Sequence, residues 1–233
     1  MGADMQPTFV DEFSQSVAIN PETTALVIVD MQNATGNRHM GLGKLLADSG
    51  RGDSSGYRYD CIENVLIPNI RKLTAAFRQT GARIIFITYG ARLADCSDVS
   101  RHIAKIVKAT NNIEGQKEHE IVSELAPQAE DLVLNKTTQG AFCSTAIDTH
   151  LRAAGIETVV CVGVSTNNCV AMTAMEANDL QYSVVVVSDA TGTDSEEMQN
   201  STLNMLRRLW SRVITTDEVI AELTRGQKTA ASA

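Results

Sequence analysis

Three residues in this chain of 233 have types that complement one another and positions that could bring them together: Asp30, Lys136 and Cys169. Asp30 closes the apolar run Ala25-Leu26-Val27-Ile28-Val29, and Lys136 follows Leu132-Val133-Leu134-Asn135. Cys169 lies past Val159 to Val164, after the turn Ser165-Thr166-Asn167-Asn168 and at the start of a helical pattern. A thiol is a weak nucleophile until it ionises, and a helix N-terminus and a nearby ammonium both favour the thiolate. A carboxylate within reach can take the thiol proton and return it to a leaving amine, if burial raises the pKa of an otherwise too acidic Asp. Lys136 would hold the anionic pair together, and backbone N–H groups around Ser165 and Cys169 could stabilise an oxyanion. Taken singly, the three read as a turn residue, a snorkelling surface charge and a packing cysteine. Their co-location is what points to nucleophilic catalysis.

That co-location requires an architecture. Six apolar, β-branched runs predict strands over Ala25 to Val29, Arg83 to Tyr89, Asp131 to Leu134, Thr158 to Gly163, Ser183 to Ser188 and Arg212 to Ile214. Each is apolar nearly throughout, as parallel strands covered on both faces are. Helical patterns over Ile62 to Gln79, Ser144 to Ala154, Asn168 to Leu180, Ser195 to Leu209 and Asp217 to Leu223 fill the gaps. The alternation predicts an α/β fold in three layers: a doubly wound sheet of six mainly parallel strands with helices on both faces. Parallel strands share a direction, so all three candidate residues fall at one edge. The chain reads as a single domain over 21–226, with an irregular arm at 1–20 and a disordered tail at 227–233. The connection from Asn33 to Asp60 is long and rich in glycine, which predicts a lid or binding loop at the carboxyl edge of the first strand. Arg51-Gly52-Asp53 within it is a chance tripeptide.

Composition narrows the function classes. With 43% hydrophobic and 21% charged residues the chain is of globular type. Its formal charge of −8 disfavours a nucleic-acid partner. No apolar run approaches bilayer length, so no membrane partner is expected, and the first twenty residues do not read as a signal peptide. The five cysteines, Cys61, Cys96, Cys143, Cys161 and Cys169, form no CxxC pair and suit a reducing cytoplasm.

Three segments carry a resemblance. Val27-Ile28-Val29-Asp30-Met31-Gln32-Asn33, Lys136-Thr137-Thr138-Gln139-Gly140-Ala141-Phe142 and Gly163-Val164-Ser165-Thr166-Asn167-Asn168-Cys169-Val170 resemble the signatures of the isochorismatase-like cysteine hydrolases. Their order and spacing hold from about Pro21 to Leu223. The resemblance implies a six-stranded parallel sheet, an Asp-Lys-Cys triad at Asp30, Lys136 and Cys169, and a non-proline cis peptide at Val164–Ser165. It also implies a homodimer or homotetramer. The nicotinamidase branch adds an Asp and His metal cluster, but His39, His102, His119 and His150 show no D-x-H spacing, so neither metal nor cofactor is expected.

The expected substrate is a small amide or ureide. Candidate contacts are Gln32, Asn33, Asn37, Arg38, Gln139, Phe142, Thr166 and Asn168, with Asn167 and Gln199 as further carboxamides able to donate and accept. Arg38, Arg58 and Arg92 could clamp a carboxylate or a carbonyl-rich ligand. The leading expectation is a cysteine amidohydrolase of carbamoyl or ureido amides, resembling biuret, triuret and ureidoacrylate hydrolases. Alternatives are an isochorismatase-type vinyl-ether hydrolase and a non-catalytic or redox-sensing thiol protein on the same fold.

Overall fold

The computed structural model describes residues 17–50 and 56–230, with side chains as far as residue 225. Strand β1 (Thr24–Val29) is followed by three short helices, α1 (Asn33–Gly36), α2 (Gly41–Asp48) and α3 (Gly56–Cys61). A π-helical turn over Ile62–Leu66 runs from α3 into α4 (Ile67–Thr80). Then come β2 (Arg83–Tyr89), α5 (Arg101–Ala109), β3 (Leu132–Lys136), α6 (Ile147–Ala153) and β4 (Thr158–Val164). A second π-helical turn, Thr166–Val170, opens α7 (Ala171–Asp179), and β5 (Ser183–Gly192), α8 (Glu196–Arg207), β6 (Arg212–Ile214) and α9 (Thr216–Ala230) complete the chain.

The strands order as β3-β2-β1-β4-β5-β6, and every neighbouring pair is parallel. Alternate residues of each strand feed two separate cores, as the two-residue side-chain period dictates. Leu26, Ile28, Phe86, Val160, Val162, Val185 and Val187 point to the face covered by α4 and α9, where Ile70, Leu73, Phe77, Val219 and Leu223 meet them. Ala25, Val27, Val29, Ile85, Ile87, Val159, Val184 and Val186 point the other way, against Ile147 and Leu151 of α6, Ala174 of α7 and Leu203 and Leu206 of α8. Crossovers run outward in both directions from the β1–β4 pair. That pair is therefore the topological switch point, where open sheets of this kind form a crevice beyond the strands' carboxyl ends.

Several boundaries differ from the sequence expectation. β3 ends at Lys136 rather than Leu134 because Thr88 and Tyr89 of β2 continue the ladder to Asn135 and Lys136. β3 is also an edge strand, and Val133 is 46% exposed, so burial on both faces fails there. The Asn33 to Asp60 connection carries helices α1, α2 and α3 over its described parts, rather than an irregular loop. Its Arg51-Gly52-Asp53 tripeptide lies outside the described residues, as do residues 1–16 of the expected arm and 231–233 of the expected tail. The arm's last residues, 17–20, are irregular as expected, yet Val17 and Ile19 among them are buried in the α4–α9 core. Helix α9 continues through the region expected to be frayed, as far as Ala230. Helix α5 was not anticipated; its apolar positions Ile103 and Val107 pack with Tyr89, Val99 and Cys96 in a satellite cluster.

Candidate active site

Each member of the expected triad ends or follows a strand at the same sheet edge. Asp30 takes a left-handed backbone conformation, φ 53°, which turns the chain out of β1; Asp is one of the few residues that tolerates it. Thr35 Oγ1 and the Gln32 N–H both donate to the Asp30 carbonyl and fix this turn. Lys136 is the last residue of β3, and Cys169 sits in the π-helical turn at the head of α7. The end of β4 that leads into this turn runs tight against β1. Gly163 has φ 110°, and a Cβ there would lie 2.1 Å from the Val29 carbonyl oxygen, so only glycine fits. The peptide between Val164 and Ser165 is cis, at the position the resemblance implied.

The three side chains meet. Lys136 Nζ donates to Asp30 Oδ2 at 3.0 Å and to Cys169 Sγ at 3.4 Å. It also reaches the Thr138 carbonyl at 3.3 Å and stands 4.5 Å from the centre of the Tyr89 ring. All three are withdrawn from water, with exposures of 1% for Asp30, 0% for Lys136 and 8% for Cys169. Asp30 Oδ1 is buried without a hydrogen-bond partner among the described residues. The carboxyl and the Cys169 thiol are close enough to influence each other's ionisation.

Burial sets the protonation states. It raises the Asp30 carboxyl above the ordinary carboxylate value against the opposing Lys136 charge. Burial would also favour a neutral lysine, but the charges of Asp30 and Cys169 outweigh it and hold the ammonium above its usual range. The Cys169 thiol is pushed up to about 12 by burial and then by Asp30, with Lys136 pulling the other way. The resting sulfur is therefore held as a thiol beside the Asp30–Lys136 pair. This corrects the expectation that Lys136 and the helix terminus hold a thiolate ready: removing the sulfur from water outweighs them, and the proton must pass to Asp30 as the nucleophile attacks.

The candidate substrate contacts divide. Gln139 belongs to the site, its Nε2 3.7 Å from Cys169 Sγ and its Oε1 3.2 Å from His102 Nε2. Thr166 is buried in the catalytic turn and its Oγ1 has no partner among the described residues. Asn168 is exposed, and its backbone N–H closes the turn on the Ser165 carbonyl. Gln32, by contrast, is spent on structure. Its Oε1 accepts from the Tyr89 N–H at 2.8 Å, and its Nε2 donates to the His119 carbonyl and Asn112 Oδ1. Asn33 donates to the Lys117 carbonyl and accepts from Asn37, whose own Oδ1 takes the His39 N–H. Arg38 is engaged by Asp60 and Glu63 over the Tyr59 ring. Phe142 packs on Tyr182 with ring centres 5.8 Å apart. Gln199 ties α8 to the Thr191 carbonyl at the end of β5, and Asn167 accepts from Thr193. Arg92 donates to the Asn135 carbonyl. Each of these side chains is engaged by another part of the protein, although Gln199 Oε1 is buried with no partner among the described residues.

Sequence reasoning missed the support behind the triad. His119 Nε2 bonds Asn135 Oδ1 at 2.9 Å, while Asn135 Nδ2 donates to the Gly90 carbonyl. Glu176 of α7 accepts from the Phe142 N–H at 2.8 Å and so holds the loop that carries Gln139. His119 stands in an irregular connection with no local pattern to mark it. Among the described residues no three His, Cys, Asp or Glu side chains gather as a metal ion would need, and no helix is long and apolar enough to cross a membrane.

A parallel sheet that delivers Asp, Lys and Cys to one crevice defines the class of the isochorismatase-like cysteine hydrolases. The isochorismatase domain model matches residues 24–218. Ureidoacrylate amidohydrolase RutB of Serratia proteamaculans is 30% identical over 191 residues, 76% of this chain and 73% of its own. The crystal structure of a cysteine hydrolase from Pseudomonas syringae pv. phaseolicola superposes with a TM-score of 0.74 at 25% identity, covering 91% of this chain and 97% of that one. N-carbamoylsarcosine amidase from Thermoplasma acidophilum gives 0.64 at 26%, covering 84% and 97%. The chain belongs to the isochorismatase family, among its amidohydrolases, which act on carbon–nitrogen bonds other than peptide bonds.

Proposed function

We propose that the protein hydrolyses a small linear carbamoyl or ureido amide through a covalent intermediate on Cys169, releasing ammonia. The observation that carries this reading is the placement of Lys136 Nζ between Asp30 and Cys169, at 3.0 and 3.4 Å, in a site closed to water. The three side chains supply a nucleophile, a base and a fixed cation without further help. The names of the amidohydrolase relatives, ureidoacrylate and N-carbamoylsarcosine, share an N-carbamoyl group and support that substrate class.

The cycle follows from the charges. Cys169 sulfur attacks the carbonyl carbon while its proton moves to Asp30, whose raised pKa suits it to the task. The carbonyl oxygen becomes an oxyanion at the N–H groups of Ser165 and Cys169. One such donor is worth on the order of 10²–10³ in rate. Asp30 then gives the proton to the departing nitrogen, and ammonia leaves an acyl group on sulfur. Water, deprotonated by Asp30, attacks that acyl carbon; the product departs and the thiol recovers its proton. Throughout, Lys136 keeps its proton and compensates the negative charge as it passes between oxygen and sulfur.

Ammonia release from a panel of N-carbamoyl amino acids, ureidoacrylate, biuret and simple amides tests the reading. Turnover of at least one carbamoyl compound is expected in the wild type and none in Cys169→Ser. A silent panel, or turnover that survives in Cys169→Ser, would reject it.

A further inference from the structure

A buried arginine joins the walls of the site and has no part in the cycle above. Arg58, on α3, is 4% exposed and touches three separate segments. Its Nη1 donates to Ser165 Oγ at 2.8 Å and to Asp194 Oδ1 at 3.0 Å, and its Nη2 donates to the Thr35 carbonyl at 3.2 Å. Thr35 in turn donates to the carbonyl of Asp30. A single guanidinium thus links the turn after β1, the residue at the cis peptide and the connection before α8. Asp194, its one ionic partner among the described residues, is 60% exposed. A solvated carboxylate offsets only part of the cost of burying the guanidinium, so pairing with Asp194 alone does not account for a buried cation here.

The bond to Ser165 has a directional consequence. A hydroxyl that accepts from Arg58 keeps its own hydrogen to donate, and among the described residues that hydrogen has no acceptor. Polarisation by a charged donor also makes it a better donor than an isolated serine. Ser165 is only partly buried and caps the turn that carries Cys169.

We propose that Arg58 is a positioning residue: it holds α3 and the post-β1 turn against the catalytic turn and sets the Ser165 hydroxyl to donate to the substrate. The role of the hydroxyl rests on the reading of Cys169 as the nucleophile; the clamping of the turn does not. Lysine cannot replace the guanidinium, because one ammonium cannot span Ser165, Asp194 and Thr35 in a plane.

The test combines two measurements on Arg58→Gln, Arg58→Lys, Ser165→Ala and the double variant Arg58→Gln/Ser165→Ala. In amide-exchange mass spectrometry of the free protein, Arg58→Gln is expected to speed exchange of the Ser165 to Val170 segment about tenfold, with β2 and β5 unchanged. Unchanged exchange in that segment, or a uniform rise everywhere, would overturn the clamp whatever the substrate. In steady-state kinetics, Ser165→Ala is expected to lower kcat/KM about tenfold at unchanged melting temperature, Arg58→Lys to fail to restore it, and the double variant to be no worse than Arg58→Gln alone. Wild-type kinetics in Ser165→Ala, or losses that multiply in the double variant, would overturn the action through Ser165. Absence of wild-type ammonia release combined with faster local exchange in Arg58→Gln would reject the amidohydrolase reading and leave the clamp standing.

Discussion

Asp30 and Lys136 form a 3.0 Å ion pair whose two side chains are almost completely withdrawn from water, although 106 residues separate them in the chain. Neither charge is affordable alone in such a place. Removing two charges from water costs several kcal/mol per ion before their attraction is counted, so each requires the other. The pair is thereby a fixed electrostatic field into which the sulfur is placed.

Lys136→Ala should expose that dependence. The variant leaves Asp30 buried and uncompensated, and is expected to lose about 3–5 kcal/mol of stability at neutral pH, measured by urea titration. Without Lys136 the folded-state pKa of Asp30, already raised, rises further. A group with a raised folded pKa binds more protons when folded, so the penalty should shrink as pH falls toward the ordinary carboxylate range. A loss independent of pH would show that packing, not charge, is the cause.

The resting thiol should be unreactive. With Cys169 pushed up to about 12, alkylation of Cys169 itself by iodoacetamide, followed by peptide mapping to separate it from the exposed Cys143, should be slow at pH 8 and climb through pH 10. The pH profile of kcat/KM should instead show an acid limb, because Asp30 must be ionised to act as base and its pKa is raised above 3.8. No alkaline loss should occur in the range where lysines ordinarily titrate, since the Lys136 pKa is raised too. Fast alkylation at pH 7 would show a resting thiolate and contradict this assignment.

Gln32→Ala separates support from recognition. Its carboxamide satisfies the Tyr89 N–H and the His119 carbonyl. Losing these bonds should cost about 1–3 kcal/mol in urea unfolding, with KM near the wild-type value. A raised KM at unchanged stability would restore Gln32 to the substrate contacts.

Gly163→Ala tests the close approach of β4 to β1 just before the catalytic turn. A Cβ 2.1 Å from the Val29 carbonyl oxygen, at φ 110°, has no room and a disfavoured backbone. A loss well above about 1 kcal/mol is expected, with activity falling further than stability alone explains. Near-wild-type melting would show that the two strands can part at little cost.

The sequence made the framework legible because long-range order here follows from local pattern. Uninterrupted Val and Ile runs indicate strands with two covered faces, and polar residues at their ends lie on one rim. Asp30, Lys136 and Cys169 could be placed together on that logic. The contacts around them could not. Gln32 and Asn33 look like free carboxamides until His119, Asn112 and Lys117, more than 75 positions away, arrive to occupy them. Arg58 looked like any arginine near a glycine-rich segment; its burial depends on Ser165 and Asp194, which no spacing connects to it. The protonation of Cys169 was misjudged for a related reason. Nearby charge can be read from residue types, whereas the extent of desolvation comes only from packing.

The central claim is a covalent acyl enzyme on one sulfur, and intact-protein mass spectrometry of acid-quenched turnover reads it directly. With a carbamoyl substrate that releases ammonia, the wild type should gain the mass of substrate less ammonia, mapped to the peptide containing Cys169 and absent in Cys169→Ala. Ammonia released at the wild-type rate by Cys169→Ala would contradict the account, as would an adduct mapped to another cysteine.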